Sequence, residues 1–123
     1  MKLQNINHQQ SFGRVRTIPK TEDMEKNCFR SGTINSVLAI KKYKDAFDRV
    51  TPNSIIDLSV SKKICKEGLG LAPSFVPILK IKATPRNIDG KIVKKEIPTY
   101  AISNPMELLQ VFMKMNDETQ VIN

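Results

Sequence analysis

An Asp-Gly pair at positions 89 and 90 lies between two segments that have the composition of β-strands. Residues 75–84 and 91–102 are rich in β-branched, aromatic and other apolar side chains. Asp-Gly is a favoured two-residue turn between antiparallel strands. The pattern therefore predicts a β-hairpin over residues 75–102, and this hairpin constrains the fold more than any other feature of the chain.

The segment after residue 35 has the period of an amphipathic helix. Its apolar residues, which recur at three- and four-residue steps, are Val37, Ile40, Tyr43, Phe47 and Val50. Asn35 or Ser36 is the expected N-cap, and Pro52 stops the helix just after its end. The same period places Asp45 and Asp48 on the solvent face.

Other segments complete an expected element order of β-α-β-β-β-α. A short extended piece ends at Pro19, the β-branched run over residues 54–60 predicts a buried strand, and residues 61–73 have loop composition. Ser103-Asn104-Pro105 is a helix start. The apolar stripe of that helix is Leu108, Leu109, Phe112 and Met115, widened by Met106, Val111 and Met113.

This order predicts a single α+β (or small α/β) domain with two helices on a mixed sheet of about four strands. The crossover from the first strand through a helix to the second fits a parallel, right-handed connection. Prolines in the hairpin, which are Pro77, Pro85 and Pro98, place at least one of its strands at an edge. We expect residues 1–10 to form a flexible arm, residues 11–116 the domain and residues 117–123 a frayed tail.

The composition argues against several classes of function. The chain has one histidine, His8, and two cysteines, Cys28 and Cys65, so a zinc site lacks ligands and a Ser-His-Asp or Cys-His arrangement lacks a well-placed base. No stretch approaches the ~20 apolar residues of a membrane-spanning helix, and the N-terminus lacks the apolar core of a secretory signal. We therefore expect a cytoplasmic, non-catalytic protein that uses no metal and no cofactor.

Positive charge is concentrated in residues 62–95. The whole chain has 20 Lys and Arg against 12 Asp and Glu, a formal charge of +8, and this segment holds nine basic and two acidic residues. If Asp-Gly is the two-residue turn, Ile88 faces Lys91, and directly paired residues share one face of the hairpin. The outer face is then predicted to hold Val76, Ile78, Lys80, Lys82, Arg86, Val93, Lys95, Ile97 and Thr99. The other face, which includes Lys94, is predicted to join the core.

The expected anion-binding residues are Lys80, Lys82, Arg86 and Lys95, with Lys62 and Lys63 nearby. Lysines on exposed strands often only prevent pairing with other chains, but clustered cations also attract anions. We expect a small accessory domain whose Lys-rich sheet face meets an acidic protein, and a nucleic-acid-binding protein is the alternative. A further alternative is a homodimer joined through the hairpin edge around Val93 and Ile97.

One stretch carries a family resemblance. Phe29-Arg30-Ser31-Gly32-Thr33-Ile34 is followed by a helical pattern and then by Ile55-Ile56-Asp57-Leu58. This arrangement resembles the N-terminal part of the bacterial tyrosine/serine protein phosphatase-like family, in which a Phe-Arg-Ser-Gly-x-Leu turn precedes a helix and a Val-Ile-Asp-Leu-Arg strand. The strand's final Arg is Ser59 here, and the catalytic signature of that family, His-Cys, five residues, then Arg, is absent from the sequence. The resemblance therefore implies an inactive or truncated phosphatase-like domain.

Overall fold

The computed structural model describes residues 14–65 and 74–121, which form helices packed on one sheet. In chain order the elements are β1 (Val15–Thr17), α1 (Thr21–Lys26), α2 (Ser31–Lys42), α3 (Lys44–Arg49), β2 (Ser54–Cys65), β3 (Ser74–Pro85), β4 (Val93–Pro98), a 3-10 helix (Thr99–Ala101) and α4 (Pro105–Glu118). The flexible arm expected at residues 1–10 lies outside the described residues.

The described strands form one open sheet in the order β1-β2-β3-β4. β1 runs parallel to β2, whereas β2 with β3 and β3 with β4 are antiparallel. The parallel pair follows from the helical crossover between β1 and β2, because parallel neighbours need a long connection. The α+β class, with two main helices on a mixed sheet of four strands, is confirmed.

The helices cover one face of the sheet. Side chains alternate between the two faces along a strand, so alternate residues in the part of β2 and β3 beneath the helices belong to the core. These residues are Ile56, Leu58, Leu79, Ile81 and Ala83, all at most 2% exposed. Phe47 of α3 and Phe112 of α4 pack edge to face, with ring centroids 5.5 Å apart, within the same core cluster. On the opposite face Ser59, Lys80 and Lys82 are exposed.

The helical segment differs from its expected boundaries at both its start and its middle. It begins at Ser31, and Ser36 is not a cap but a buried interior residue whose hydroxyl donates to the Gly32 carbonyl at 2.8 Å. The chain leaves helical geometry at Tyr43, with φ −115° and ψ 42°, and restarts as α3. Tyr43, which was expected on the apolar face, is 52% exposed at this break.

Asp48 is the second departure in this segment, because it is buried rather than on the solvent face. Its Oδ1 accepts from the Val15 backbone N–H at 3.3 Å, and its Oδ2 lies 3.3 Å from the Lys44 ammonium. The same ammonium donates to the Val15 carbonyl at 3.2 Å. A buried N–H on a short edge strand needs an acceptor, and Asp48 supplies one by joining α3 to β1.

The hairpin forms, but with a register three residues away from the expected one. Leu79 pairs with Ile97 instead of Tyr100, and the ladder runs from Ile78↔Pro98 to Ala83↔Val93. The connection therefore spans residues 86–92, and Asp89 and Gly90 lie in a turn closed by the Gly90 N–H donating to Asn87. Because the shift is odd, every side chain of β4 lies on the face opposite to the one predicted.

Backbone hydrogen bonds to the residue before β2 and to the residue after α4 hold this longer loop in place. The Arg86 N–H donates to the Asn53 carbonyl at 2.9 Å, and the Lys91 N–H donates to Thr119 at 3.0 Å. A Cβ on Gly90 would lie 2.5 Å from the Pro85 Cβ and 2.7 Å from the Thr119 carbonyl oxygen. Only glycine fits there, so Gly90 is required for packing against the end of α4 and not as the centre of a two-residue turn.

The strand β2 is longer than predicted. The expected strand over residues 54–60 continues to Cys65, and Ile64 pairs with Phe75. The prediction of a loop immediately after residue 60 is therefore wrong as far as Cys65. Ile64 and Phe75 are 53% and 60% exposed, so this end of the β2–β3 hairpin extends beyond the core. Residues 66–73 lie outside the described residues.

The start of α4 agrees with the sequence analysis. The Asn104 side chain accepts from the Glu107 N–H at 3.1 Å, and Pro105 occupies the first helical position. The Glu107 carboxylate accepts from the Ser103 hydroxyl and, at 3.0 Å, from the Ser103 N–H. These bonds, above all the one from the hydroxyl, hold the pKa of Glu107 below its usual range. The arrangement is a capping box, which satisfies N–H groups that a helix start leaves unpaired.

The remainder of α4 differs from the expectation in two respects. Met106 and Met113, which were expected to widen the buried stripe, are 60% and 43% exposed. The helix also continues to Glu118, where a frayed tail from residue 117 was expected. Asn116 is buried, and its Oδ1 accepts from the Asn53 N–H at 3.0 Å and from the Ser54 hydroxyl at 2.8 Å. A polar residue near the chain end is thus a tie between α4 and the start of β2.

Replacing Asp48 with alanine should lower the free energy of unfolding by about 1–3 kcal/mol, because the buried Val15 N–H and the Lys44 ammonium lose their acceptor. Asp45→Ala, on the exposed side of the same helix, is the matched control and should change it by less than about 0.5 kcal/mol. Urea denaturation followed by circular dichroism measures both. Equal effects of the two substitutions would contradict the assigned role of Asp48.

Candidate anion-binding face of the sheet

The side of the sheet away from the helices is a polar surface. It is formed by alternate residues of β2, β3 and β4, together with a neighbouring side chain of β1. We call this surface the open face; among the described residues its charged members are Arg16, Asp57, Lys63, Lys80, Lys82, Lys94 and Glu96. Five cations and two carboxylates share it, so the open face is positively charged.

The register of β4 decides which lysine belongs to this surface. Lys82 pairs directly with Lys94, and Lys80 pairs with Glu96, so these four side chains share one face. Lys95 pairs with Ile81 on the helix side, where its ammonium lies 3.7 Å from a Glu118 carboxylate oxygen. The predicted grouping of Lys95 with Lys80 and Lys82 is therefore wrong.

Three lysines of the open face lack a close anionic partner. Lys80, Lys82 and Lys94 are exposed, and none makes a side-chain hydrogen bond or an ion pair within 4.0 Å among the described residues. Paired residues on neighbouring antiparallel strands have Cβ atoms about 4.5–5.5 Å apart, where like charges destabilise the sheet. The juxtaposition of Lys82 and Lys94 therefore favours an anion between or above them.

A depression of about 390 Å³ lies at the centre of this group. Its polar lining comes from all four strands: Thr17, Asp57, Ser59, Lys80, Lys82, Lys94, Lys95 and Glu96. A smaller one of about 260 Å³ adjoins it, lined by Ser61, Lys63 and Ile78 among others. The larger depression has the volume of a small ligand or of one or two acidic side chains.

The two carboxylates of the open face are both engaged. The Asp57 oxygens accept from the Arg16 guanidinium at 3.0 and 2.6 Å, a two-point pair. Hydrogen bonds from Arg16 hold the pKa of the Asp57 carboxyl below its usual range, against the opposing effect of partial burial, and Thr17 and Lys82 lower it further. Glu96 lies 3.6 Å from the ammonium of Lys63. Both carboxylates thus form their ion pairs with Arg16 and Lys63 and not with Lys80, Lys82 or Lys94.

The remaining predicted site residues are dispersed. Lys63 belongs to the open face, but Lys62 alternates to the other side of β2 and pairs with Pro77. Arg86 follows β3 in the loop and is exposed. Of six predicted residues, the sheet brings together Lys63, Lys80 and Lys82.

Sequence reasoning missed two cations, Arg16 and Lys94. Arg16 lies on a strand of three residues whose partner is distant in sequence, and no local pattern marks it. Lys94 could not be placed from one strand, because its face depends on the register between β3 and β4. Odd-numbered residues of β3 bond to β4, so Pro77 and Pro85 lack the N–H groups that would extend that ladder and limit only its length.

Other kinds of site receive no support in residues 14–65 and 74–121. These residues contain no group of three or more His, Cys, Asp or Glu side chains that could hold a metal ion. Cys28 is a free, exposed thiol with φ 61°. Within the same residues, every helix is too short or too polar to cross a membrane.

Comparison of the chain with family models, with curated proteins and with solved structures gives no match. The phosphatase-like stretch falls on the two residues before α2, on the first turn of α2 and on the first half of β2. The proposed resemblance therefore stays a hypothesis, and function has to be inferred from the open face.

Asp57→Asn should reduce stability at neutral pH but much less in acid. A carboxyl whose folded pKa lies below its unfolded value, about 4, stabilises the fold fully above that value and loses the contribution as pH falls through the folded pKa. The difference in unfolding free energy between wild type and Asp57→Asn should therefore shrink below about pH 4. Arg16→Gln is the matched variant and should show the same dependence in denaturant titrations. A difference that stays constant down to about pH 2 would contradict the pairing.

Proposed function

We propose that this protein is a small binding domain whose open face takes an acidic segment of a partner protein. The observation that carries the proposal is the group Lys80, Lys82 and Lys94, three exposed ammonium groups around one depression and without an ion pair within 4.0 Å among the described residues. A partner carboxylate placed over Lys82 and Lys94 would relieve their mutual repulsion.

Charge complementarity of this kind acts mainly on specificity and on the rate of association. The depression offers side-chain groups on both sides of the lysines: the Ser59 hydroxyl on β2 and Glu96 on β4. Fixed carboxylates at Asp57 and Glu96 would repel a ligand that is negative along its whole length. They are compatible with a peptide in which acidic side chains alternate with neutral or basic ones.

The features that distinguish nucleic-acid binding favour the acidic protein over nucleic acid. Recognition of single strands uses aromatic side chains on which bases stack. The exposed aromatic residues of the described chain are Tyr43 on the helical side, Phe75 on the other face of β3 and Tyr100 in the 3-10 helix. None belongs to the open face, so phosphate attraction would have to act without stacking.

The double variant Lys80→Glu/Lys82→Glu should weaken binding of a fluorescent peptide of alternating glutamate and serine by at least about tenfold, since each reversed charge removes an attraction and adds a repulsion. Lys20→Glu/Lys41→Glu changes the net charge equally at exposed positions on the helical segments and should change affinity by less than about twofold. Fluorescence anisotropy at two salt concentrations measures the affinities, with circular dichroism to confirm folding.

Two results would overturn this proposal. Equal losses in the two double variants would mean that net charge alone attracts the peptide. Tighter binding of a DNA duplex, with an affinity that falls by about 10³ or more between 50 and 200 mM salt, would favour the nucleic-acid alternative instead.

The phosphatase-like alternative makes a separate claim, because it requires chemistry at a cysteine. A thiolate attacking phosphate needs a neighbouring arginine and a cradle of N–H groups, and neither cysteine is followed by arginine six positions later. Hydrolysis of an aryl phosphate that Cys65→Ser abolishes would support that alternative. We propose the binding function because the lysines that it requires are present on the open face, whereas the arginine that the phosphatase-like chemistry requires does not follow either cysteine.

A further inference from the structure

The outer edge of β4 has backbone groups whose direction can be assigned. In antiparallel ladders, hydrogen-bonded and non-hydrogen-bonded pairs alternate. The Arg86 N–H donates to the Asn53 carbonyl, so even-numbered residues of β3 bond to β2 and odd-numbered residues bond to β4. Pro77 and Pro85, which have no N–H, agree with this assignment: both have odd numbers, and the ladder with β2 uses no N–H group of β3 at odd positions.

The ladder between β3 and β4 then determines which N–H and C=O groups of β4 do not bond to β3. Its hydrogen-bonded pairs are Leu79↔Ile97, Ile81↔Lys95 and Ala83↔Val93. The N–H and C=O groups of Lys94 and Glu96 therefore point away from β3, and no described backbone group bonds to them. β4 is the last strand of the described sheet, so these four groups form an edge that no described strand covers.

We propose that a second copy of this chain binds this edge, with the two β4 strands antiparallel and related by a two-fold axis at Lys95. Lys94 then pairs with Glu96 of the partner subunit, and Glu96 with the partner's Lys94. Both residues of each pair point their backbone groups outward, so each pair exchanges two hydrogen bonds. Both pairs also lie on the open face, where they place opposite charges directly across from each other.

The neighbouring registers are unfavourable. A shift of two residues in one direction places Lys94 opposite the partner's Lys94. A shift of two in the other direction places Glu96 opposite the partner's Glu96 and brings Lys94 against the partner's Pro98, which has no outward N–H to donate. Like charges directly opposite destabilise a sheet, so the charge pattern of β4 selects the register centred on Lys95.

The helix side of the seam is consistent with the same register. Val93 would lie opposite Ile97 of the partner subunit, and both side chains are only partly buried in the single chain. A groove of about 370 Å³ between β4 and α4, lined in part by Ile97 and Val111, runs beside them. Lys95 would face the partner's Lys95, but each ammonium has Glu118 of its own chain 3.7 Å away.

A charge-swap series with sedimentation velocity at several protein concentrations tests this interface. Wild type should be a dimer that dissociates on dilution. Lys94→Glu places two carboxylates in each outer pair, and Glu96→Lys places two ammonium groups there, so each should raise the dissociation constant at least tenfold. The double variant Lys94→Glu/Glu96→Lys restores opposite charges and should restore the dimer. In each chain Lys94→Glu also replaces the Lys82–Lys94 repulsion by an attraction, so loss of folding would not explain a monomer.

Disulfide formation gives a second measurement that depends on the register. Non-hydrogen-bonded antiparallel partners have Cα atoms about 4.5 Å apart, within the range that a disulfide spans. In a background with Cys28→Ser and Cys65→Ser, Lys95→Cys should oxidise to a covalent dimer. Lys94→Cys, which would face the partner's Glu96, should crosslink much more slowly and is the matched control.

A wild-type monomer at all concentrations would overturn the proposal, and so would a dimer that survives both single charge reversals. A double variant that stays folded and monomeric, or equal crosslinking at positions 94 and 95, would also overturn it. Lys94 belongs to both proposed surfaces, but sedimentation and crosslinking are measured without peptide, so these outcomes are distinguishable from the peptide affinities that test the proposed binding of an acidic segment.

Discussion

Two prolines of β3 limit the pairing between β3 and β4, and the arrangement of the rest of the sheet depends on that pairing. Pro77 and Pro85 both lack an N–H toward β4, so the ladder between the two strands is confined to the residues between them. Within that limit, β4 adopts the register in which Ala83 pairs with Val93. This register places Lys94 on the open face and Lys95 against the helices. The pairing of the backbones thus decides where the charges of the hairpin lie.

The resulting arrangement costs stability locally. Lys82 and Lys94 are directly paired like charges, and the nearest carboxylate across the strands, Asp57, is held by Arg16 at 2.6 Å. The core on the other face, closed by Phe47 and Phe112, does not depend on these lysines. Such an unfavourable arrangement of charges on a stable core is typical of a binding site. A ligand of opposite charge would reduce the repulsion between the two lysines.

Local signals in the sequence predicted most of the helices and strands. The burial of individual side chains and the register of β4 could not be predicted, because they depend on contacts between residues that are distant in the sequence. Asn104-Pro105 marked the start of α4 because capping acts within one helical turn, and the β-branched run marked β2. Asp48 is buried because it accepts a hydrogen bond from the Val15 N–H, 33 residues earlier. The spacing of apolar residues within α3 carries no information about that partner. The site was predicted in part: Lys80 and Lys82 follow from alternation along one strand, whereas Lys94 requires the pairing between two strands. Asp-Gly suggested a tight turn, but Gly90 is needed for its packing against Thr119.

The two proposed surfaces are geometrically compatible, because a two-fold axis perpendicular to the sheet keeps the open faces of both copies on the same side. Three strand spacings then separate the β3 strands of the two chains, about 14 Å. Lys94 would be neutralised by Glu96 of the partner subunit, which leaves Lys80 and Lys82 of each chain as the anion-binding groups. An acidic segment of four or five extended residues spans about 14 Å, so one segment lying across the seam could contact both lysine pairs. Dimer formation would therefore reduce the charge repulsion within each chain and, at the same time, create a longer binding surface than one copy provides.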